Sequence, residues 1–453
     1  MTQFFWNKKN IRLKPEQVLV IGFASLILVG SLLLSLPAAT QSGESTSYLD
    51  ALFTSTSAVC VTGLVVYDTG THWSMFGQTL IALLIQIGGL GFMTFGILFA
   101  VLLGRKIGLR SRLVLQESLR EFSLHGVVQL AARILLVTLV VELLATSLLA
   151  TKFVPTLGLW RGLWFSFFHS VSAFNNAGFD IFGSINGQFS SLTTYVTEPL
   201  VVLTLAFLFI MGGIGFTVFM DAVQKRKFKD LALHSKLVLW TTGILIMVAT
   251  LVIFSLERTN LQTIGNMSFG TGLMNAFFQA VTPRTAGFNT LHIASMTMAS
   301  QMFIILLMYV GASPGSTGGG IKTSTFAVMI AGATTLMGQK RDVVLFNRKI
   351  PSHQINKVFF ILVLSLGVIL LNTFLLTITE TGAFIDILFE VVSAYGTVGL
   401  SMGMTTQLTP FGRFIIILTM FIGRLGAPTV AFALARGQKK IEIGYPEERV
   451  ILG

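Results

Sequence analysis

A chain of 453 residues in which 53% of side chains are hydrophobic and only 11% are charged lacks the polar surface a soluble protein needs, so its solvent is mostly lipid. A formal net charge of +12 leaves nucleic acid or a membrane as the partner, a choice that the distribution of the charges decides. The single cysteine, Cys60, excludes an intrachain disulfide, and the six histidines are scattered without zinc-ligand spacing.

In chain order, Lys8, Lys9, Arg12 and Lys14 precede an apolar run at 18–36, which Pro37-Ala38-Ala39 follows. The run is too long for the apolar region of a secretory leader and seven further spans follow, so it reads as a retained first helix. Next come a short apolar piece, FTSTSAVCVTGL from Phe53, a second long run at 80–103 and a basic segment at 105–133. The order then recurs. Runs at 127–150 and 200–220 flank FHSVSAFNNAGF from Phe168, and basic residues at 225–236 close the second unit. The third unit carries FFQAVTPRTAGF from Phe277, and its second span is interrupted at 311–325 by GASPGSTGGGIKTST. After a basic segment at 340–357, the fourth unit carries FEVVSAYGTVGL from Phe389, then a span containing Arg424 and the tail IEIGYPEERVILG.

Of the 31 lysines and arginines, 24 fall before the first span, in the three basic segments or after residue 435. Only Lys152, Arg161, Arg258, Arg284 and Arg413 lie in the alternate loops. The positive-inside rule then predicts a multi-pass membrane protein with both termini cytoplasmic, and reads the charge as orientation, with no nucleic acid as partner.

The four short pieces align without gaps over twelve residues, and their glycines, Gly63, Gly178, Gly287 and Gly399, stand 115, 109 and 112 residues apart. Such regularity argues for duplication of one unit. Each piece is about half the length that crosses a bilayer as a helix, so it enters, stops midway and returns as extended chain. Non-helical backbone at that depth survives only when enclosed by protein or lining a water-filled cavity. The expected fold is therefore an all-α membrane protein of four tandem helix, re-entrant pore loop, helix repeats, with eight transmembrane helices and four pore helices around one central pore. The repeats are expected at 15–104 (pore loop 50–66), 125–222 (162–181), 234–338 (272–290) and 353–437 (384–402), with a cytoplasmic tail at 438–453.

A permeating cation exchanges its water shell for oxygen ligands, and backbone carbonyls supply them without a formal charge in the membrane. Turning successive carbonyls toward one axis demands positive φ, which glycine accepts. The expected ligands are the backbone carbonyls around Val61, Thr62 and Gly63, Asn176, Ala177 and Gly178, Thr285, Ala286 and Gly287, and Thr397, Val398 and Gly399. One such glycine alone would read equally as a helix C-cap. Four in register read as a filter.

The stretch at 311–325 resembles a phosphate-binding loop, but Ile321 separates Gly320 from Lys322 and no strand precedes it, so nucleotide binding is rejected. It fits a broken helix lining the pore, with a packing kink as the alternative. Arg424 lies about 18 Å along a helix from Arg436, too deep to reach the surface. It marks a pathway or pairs with protein groups. Arg284 is either a salt-bridge partner behind the filter or a solvated external charge. Asp68, Glu198, Glu380 and Asp386 are candidate cation-concentrating acids at the mouth or ordinary external charges, and Phe174 and Tyr395 are expected to pack behind the filter. Glu142, Asp221, Lys322 and Arg424 lie on different repeats and form no dyad by spacing, so an enzyme is not expected. An alternating-access secondary cation transporter is the remaining alternative.

On the four blocks, the length and the interrupted third repeat, the chain resembles the Trk/Ktr/HKT superfamily of potassium transporters, and within it the bacterial KtrB/KtrD-type ion-translocating subunit. The resemblance implies potassium uptake with sodium as a candidate activator, and Gly63, rather than a serine, implies preference for potassium. It implies an intramembrane gate at Gly315, Ser316, Thr317, Gly318, Gly319, Gly320 and Lys322, with Arg424 as its contact and barrier. It also implies a location in the bacterial cell (inner) membrane and a homodimer on a cytoplasmic ring of RCK-type regulatory subunits, which bind the nucleotides; no cofactor is expected in this chain itself.

Overall fold

The computed structural model describes residues 14–91, 93–94, 109–119, 127–434 and 448. Most of the tail at 438–453 and the end of the first repeat at 95–104 lie outside the described residues.

Leaving aside single turns of helix such as Thr69–His72, the chain opens with α1 (Pro15–Leu34), α2 (Tyr48–Val59) and α3 (Met75–Leu90). After α4 (Leu109–Leu119) come α5 (Val127–Leu157), α6 (Leu159–Phe174), α7 (Pro199–Ile214) and α8 (Phe216–Lys225). The third unit has α9 (Leu233–Glu257), α10 (Phe269–Val281), α11 (Met298–Tyr309) and α12 (Thr323–Met337). A two-stranded antiparallel hairpin, β1 (Val344–Leu345) and β2 (Arg348–Lys349), leads to α13 (Ser352–Thr379), α14 (Phe384–Gly396), α15 (Pro410–Leu425) and α16 (Ala427–Leu434).

The first helix of each unit, α1, α5, α9 and α13, is 20 to 31 residues long and apolar enough to cross a membrane. At 1.5 Å per residue the shortest spans about 30 Å, the thickness of the hydrocarbon layer. The pore helices α2, α6, α10 and α14 have only 12 to 16 residues. Polar caps start three of the four second helices: Ser74, Thr297 and Thr409 accept the amide N–H three residues on, at 3.2, 3.3 and 3.1 Å. In the last two units a glutamate at the end of the first helix holds that cap. Glu257 accepts from the amide and hydroxyl of Thr297 at 2.9 and 2.8 Å, and Glu380 from those of Thr409 at 2.9 and 2.5 Å. Glu380 is thus committed to a helix start, and Glu198 to a 2.7 Å ion pair with Lys152.

The units close into a ring. The second helix of each packs on the pore helix of the next: α3 on α6, α7 on α10, α11 on α14, and α15 back on α2. A 2.5 Å ion pair between Arg413 on α15 and Asp50 on α2, whose side chain is 4% exposed, ties the last unit to the first. The leading phenylalanines Phe53, Phe168 and Phe389 are fully buried, whereas in the third unit Phe278 takes that place and Phe277 is only half-buried.

The second helices are not continuous. α3, α7 and α15 stop at Gly91, Gly215 and Gly426, with φ of +83°, +99° and +85°. Past the last two the chain turns by 95° into α8 and 96° into α16. In the third unit the break is a whole loop at 310–322, the interruption legible in the sequence.

Candidate cation pathway

Within four residues of its end, each pore helix is followed by a position that no ordinary side chain adopts readily. Val61, Asn176, Thr285 and Thr397 have φ of +51°, +57°, +78° and +51°, and the glycines two residues on, Gly63, Gly178, Gly287 and Gly399, have +95°, +70°, +80° and +91°. Each left-handed non-glycine residue costs on the order of 1–3 kcal/mol, so the surroundings must impose it. Backbone bonds do so: Thr62, Ala177 and Val398 donate their N–H to Ser57, Ser172 and Ser393 carbonyls at 2.8, 2.8 and 2.9 Å. Serine hydroxyls also accept from Gly63 and Gly399 N–H at 3.0 and 3.1 Å. The third unit has valine at that position, and Thr282, one residue later, donates its hydroxyl to the Phe288 carbonyl at 2.5 Å.

Reversing the sign of φ at every second residue turns successive carbonyls to one side instead of alternating them as a strand would. The result is a closed circuit. A Cβ on Gly63 would stand 2.6 Å from the Ala177 carbonyl oxygen, and one on Gly178 would stand 3.1 Å from that of Ala286. Beta carbons on Gly287 and Gly399 would overlap the carbonyl oxygens of Val398 and Thr62. Eight of the twelve residues named from the sequence as ligands thus meet in one circuit, in which the residue before each glycine turns its carbonyl to a glycine of the neighbouring unit, and Val61, Asn176, Thr285 and Thr397 directly precede them in the chain.

On one side the four glycines open into a cavity of about 300 Å³ that Asp68, Asp180 and His292 also line, with no lysine or arginine among its lining residues. Asp68 accepts from the Thr71 and Phe189 amides at 2.9 and 2.8 Å, which fixes its carboxylate there. On the other side lies the loop at 310–322. Gly319 N–H donates to the Thr397 hydroxyl at 3.0 Å, and a Cβ on Gly318 would overlap the Thr285 hydroxyl, so the loop sits directly against the ring. Thr317 is held by its amide and its hydroxyl on the Gly212 carbonyl at 3.2 and 3.1 Å, Gly320 N–H reaches the Gly423 carbonyl at 3.3 Å, and Ser316 bonds back to the Ser313 carbonyl at 2.6 Å. The Phe216 amide takes the Gly315 carbonyl at 3.0 Å. Lys322 donates to the Gly318 carbonyl at 2.6 Å.

Arg424 joins three units. Its guanidinium donates to the Thr317 carbonyl of the loop and to the carbonyls of Gly88 and Gly89 on α3, the latter two at 2.5 and 2.9 Å. A planar donor fork suits this, since its several N–H groups engage separate carbonyls at once. The eight loop and arginine residues named from the sequence thus form one assembly beneath the ring. Arg284 is buried, with a 3.4 Å contact to the Thr242 hydroxyl and no ion pair among the described residues. Phe174 and Tyr395 are buried behind the ring, and Cys60 is buried at the end of α2.

Sequence reasoning missed a second repeat: Gly88-Gly89-Leu90-Gly91, Gly212-Gly213-Ile214-Gly215 and Gly423-Arg424-Leu425-Gly426. A Cβ on Gly88, Gly212 or Gly423 would overlap the carbonyl oxygen of Val59, Phe174 or Tyr395, so these glycines let each second helix touch the end of a pore helix. Arg424 occupies the position of Gly89 and Gly213. Carrying the repeat search past the pore blocks would have found the pattern. Asp180 was also missed, and it carries no local signal beyond following a filter block.

The profile of a cation transport protein family, TrkH, matches residues 14–442. The Ktr system potassium uptake protein B of Bacillus subtilis is 45% identical over 445 residues, covering 98% of each chain. The potassium/sodium uptake protein NtpJ of Enterococcus hirae is 39% identical, covering 98% of this chain and 99% of its own. In fold, the crystal structure of the potassium transporter TrkH from Vibrio parahaemolyticus matches with a TM-score of 0.73 at 17% identity, over 94% of this chain and 86% of that one. The chain therefore belongs to the TrkH cation transport family, among the KtrB/KtrD-type bacterial membrane subunits of the Trk/Ktr/HKT superfamily.

Proposed function

We propose that this chain takes up potassium by letting the ion pass through the ring of Thr62, Ala177, Ala286 and Val398 carbonyls, with the loop at 310–322 and Arg424 as the gate beneath it. As a member of its family the chain is a potassium transport protein and not an enzyme. The observation that carries the filter reading is the closed circuit in which every filter glycine faces a carbonyl of the neighbouring unit. A dehydrating cation needs oxygen ligands from all sides, and this circuit supplies them from four. A pore around one axis also accounts for four-fold repetition better than alternating access between paired halves does.

The gate reading is supported by the loop's seat against Thr285 and Thr397 and by two cationic side chains, Lys322 and Arg424, on a cation's route. Sodium is a candidate activator or second substrate, since the relative from Enterococcus hirae is named for both ions. A cytoplasmic ring of nucleotide-binding RCK-type subunits is the proposed regulator, in keeping with a relative named as one protein of a Ktr system, and the membrane unit is proposed to be a homodimer with both termini cytoplasmic. The test is uptake in potassium-starved cells without transporters of their own. Gly399→Ala, present in the membrane at the normal amount, is expected to abolish rescue, and growth equal to the unsubstituted protein would remove the ring from the pathway.

A further inference from the structure

The proposed ion route leaves one large cleft unused. It lies between α9 and α12, encloses about 850 Å³ and is closed at one end by the β1–β2 hairpin. Trp240 and Ile244 line it from α9, Phe326 and Ile330 from α12, and Phe346 from the hairpin turn. Trp240 is 59% exposed and Ile330 46%. In water so large an apolar patch would be a liability, but against a bilayer it is a surface for acyl chains.

Its mouth carries charged side chains. Lys340 lines the cleft, and its ammonium makes no hydrogen bond or ion pair among the described residues. Asp342 lines it too, but its carboxylate is taken by Lys349 at 2.7 Å. Phe228 meets Phe346 edge-on at 6.2 Å, which brings the basic connection at 225–236 to the hairpin. Trp240 stands seven residues into α9, about 10 Å from its start, and an indole there suits the boundary between headgroups and acyl chains. The cleft is thus apolar where tails lie and cationic where phosphates lie, in the membrane half bordered by basic loops.

We propose that this cleft binds an anionic glycerophospholipid, with an acyl chain between α9 and α12 and its phosphate at Lys340. Basic pockets between spanning helices on the positively charged side recognise such headgroups. The position has a consequence for the pathway. α12 begins at Thr323, directly after the loop at 310–322, and the Thr323 hydroxyl contacts that of Ser313 within the loop at 2.9 Å. A lipid wedged against α12 therefore biases the loop, although the binding itself does not rest on the loop being a gate.

The test uses the full chain in vesicles containing brominated phosphatidylglycerol or, at equal mole fraction, brominated phosphatidylcholine. Quenching that disappears in Trp240→Phe isolates the signal of this side chain. Phosphatidylglycerol is expected to quench it severalfold more than phosphatidylcholine, and Lys340→Gln is expected to bring the two close together. Equal quenching in the unsubstituted protein would mean ordinary lipid contact and overturn the site. Absence of quenching by both lipids would mean that something else, such as a second copy of the chain, covers the cleft, and would overturn it as well. If Lys340→Gln fails to fold, native mass spectrometry of the unsubstituted protein decides: retained phosphatidylglycerol is expected after delipidation, and its complete loss counts against the proposal.

Discussion

The glycine ring and the helix breaks beneath it come from the same four repeats, yet they have diverged to different degrees. At the ring, all four units have a left-handed residue, a carbonyl and a left-handed glycine in the same order. At the breaks, two units have Gly-Gly, one has Gly423-Arg424 and one has expanded into a loop. A spherical ion has no preferred direction, so its ligands profit from being equal on all sides. Control has the opposite requirement, since a switch needs an element that can take two arrangements, and four identical breaks offer none. On the proposed reading, symmetry is kept where recognition sits and given up where gating sits.

The largest expected effects attack the symmetric level. Gly399→Ala and Gly287→Ala drive a Cβ into a carbonyl and force a left-handed alanine, at a cost on the order of 3 kcal/mol, or more than roughly a hundredfold in uptake. Gly178→Ala, whose Cβ would keep 3.0 Å from its nearest neighbour, is expected to be the mildest of the four. Potassium uptake rates normalised to membrane content test the order, and equal damage at all four positions would dissolve the link between the circuit and conduction.

Next come the asymmetric parts. Deleting 315–320 or replacing Arg424 with Gln removes bonds that hold the loop to α3, and flux without any regulatory subunit is expected to rise by about tenfold, as loss of one or two charge-assisted bonds implies. Rubidium influx into vesicles measures this, and unchanged flux would leave the loop as packing. A smaller change separates the levels more finely. Thr397→Val removes the acceptor for Gly319 N–H, worth about 1 kcal/mol, and is expected to raise basal flux severalfold. Thr62→Val is its control, because that hydroxyl is buried without a hydrogen-bond partner among the described residues and its loss is expected to change nothing. Smallest is Asp180→Asn in the cavity beside the glycine ring, expected to lower uptake about two- to threefold at low ionic strength and not at high salt, as focusing by a carboxylate requires.

The ring was legible because duplication wrote it four times: glycine after a half-length apolar helix is ambiguous once and informative in register. The loop was legible because GASPGSTGGGIKTST is too polar and too rich in glycine for a helix in lipid. The breaks at Gly91, Gly215 and Gly426 were legible only as a recurring glycine pattern in apolar runs, and it is the φ of each last glycine that reveals the turn. Nor does the sequence show that Val61, Asn176, Thr285 and Thr397 are left-handed, because these side chains, none of them glycine, are held so by their surroundings. Glu380 read as a surface acid, and only its bonds to Thr409 identify it as part of a helix start.

The central claim, that the four-unit ring discriminates between ions, is tested most directly by Gly63→Ser. The new Cβ would stand 2.6 Å from the Ala177 carbonyl oxygen and disturb one ligand of the circuit while leaving the loop and Arg424 untouched. In vesicles, the ratio of potassium to sodium uptake is expected to fall by about tenfold, the loss of roughly 1.4 kcal/mol of discrimination. An unchanged ratio in a protein that still transports would contradict the claim and move selectivity elsewhere in the chain.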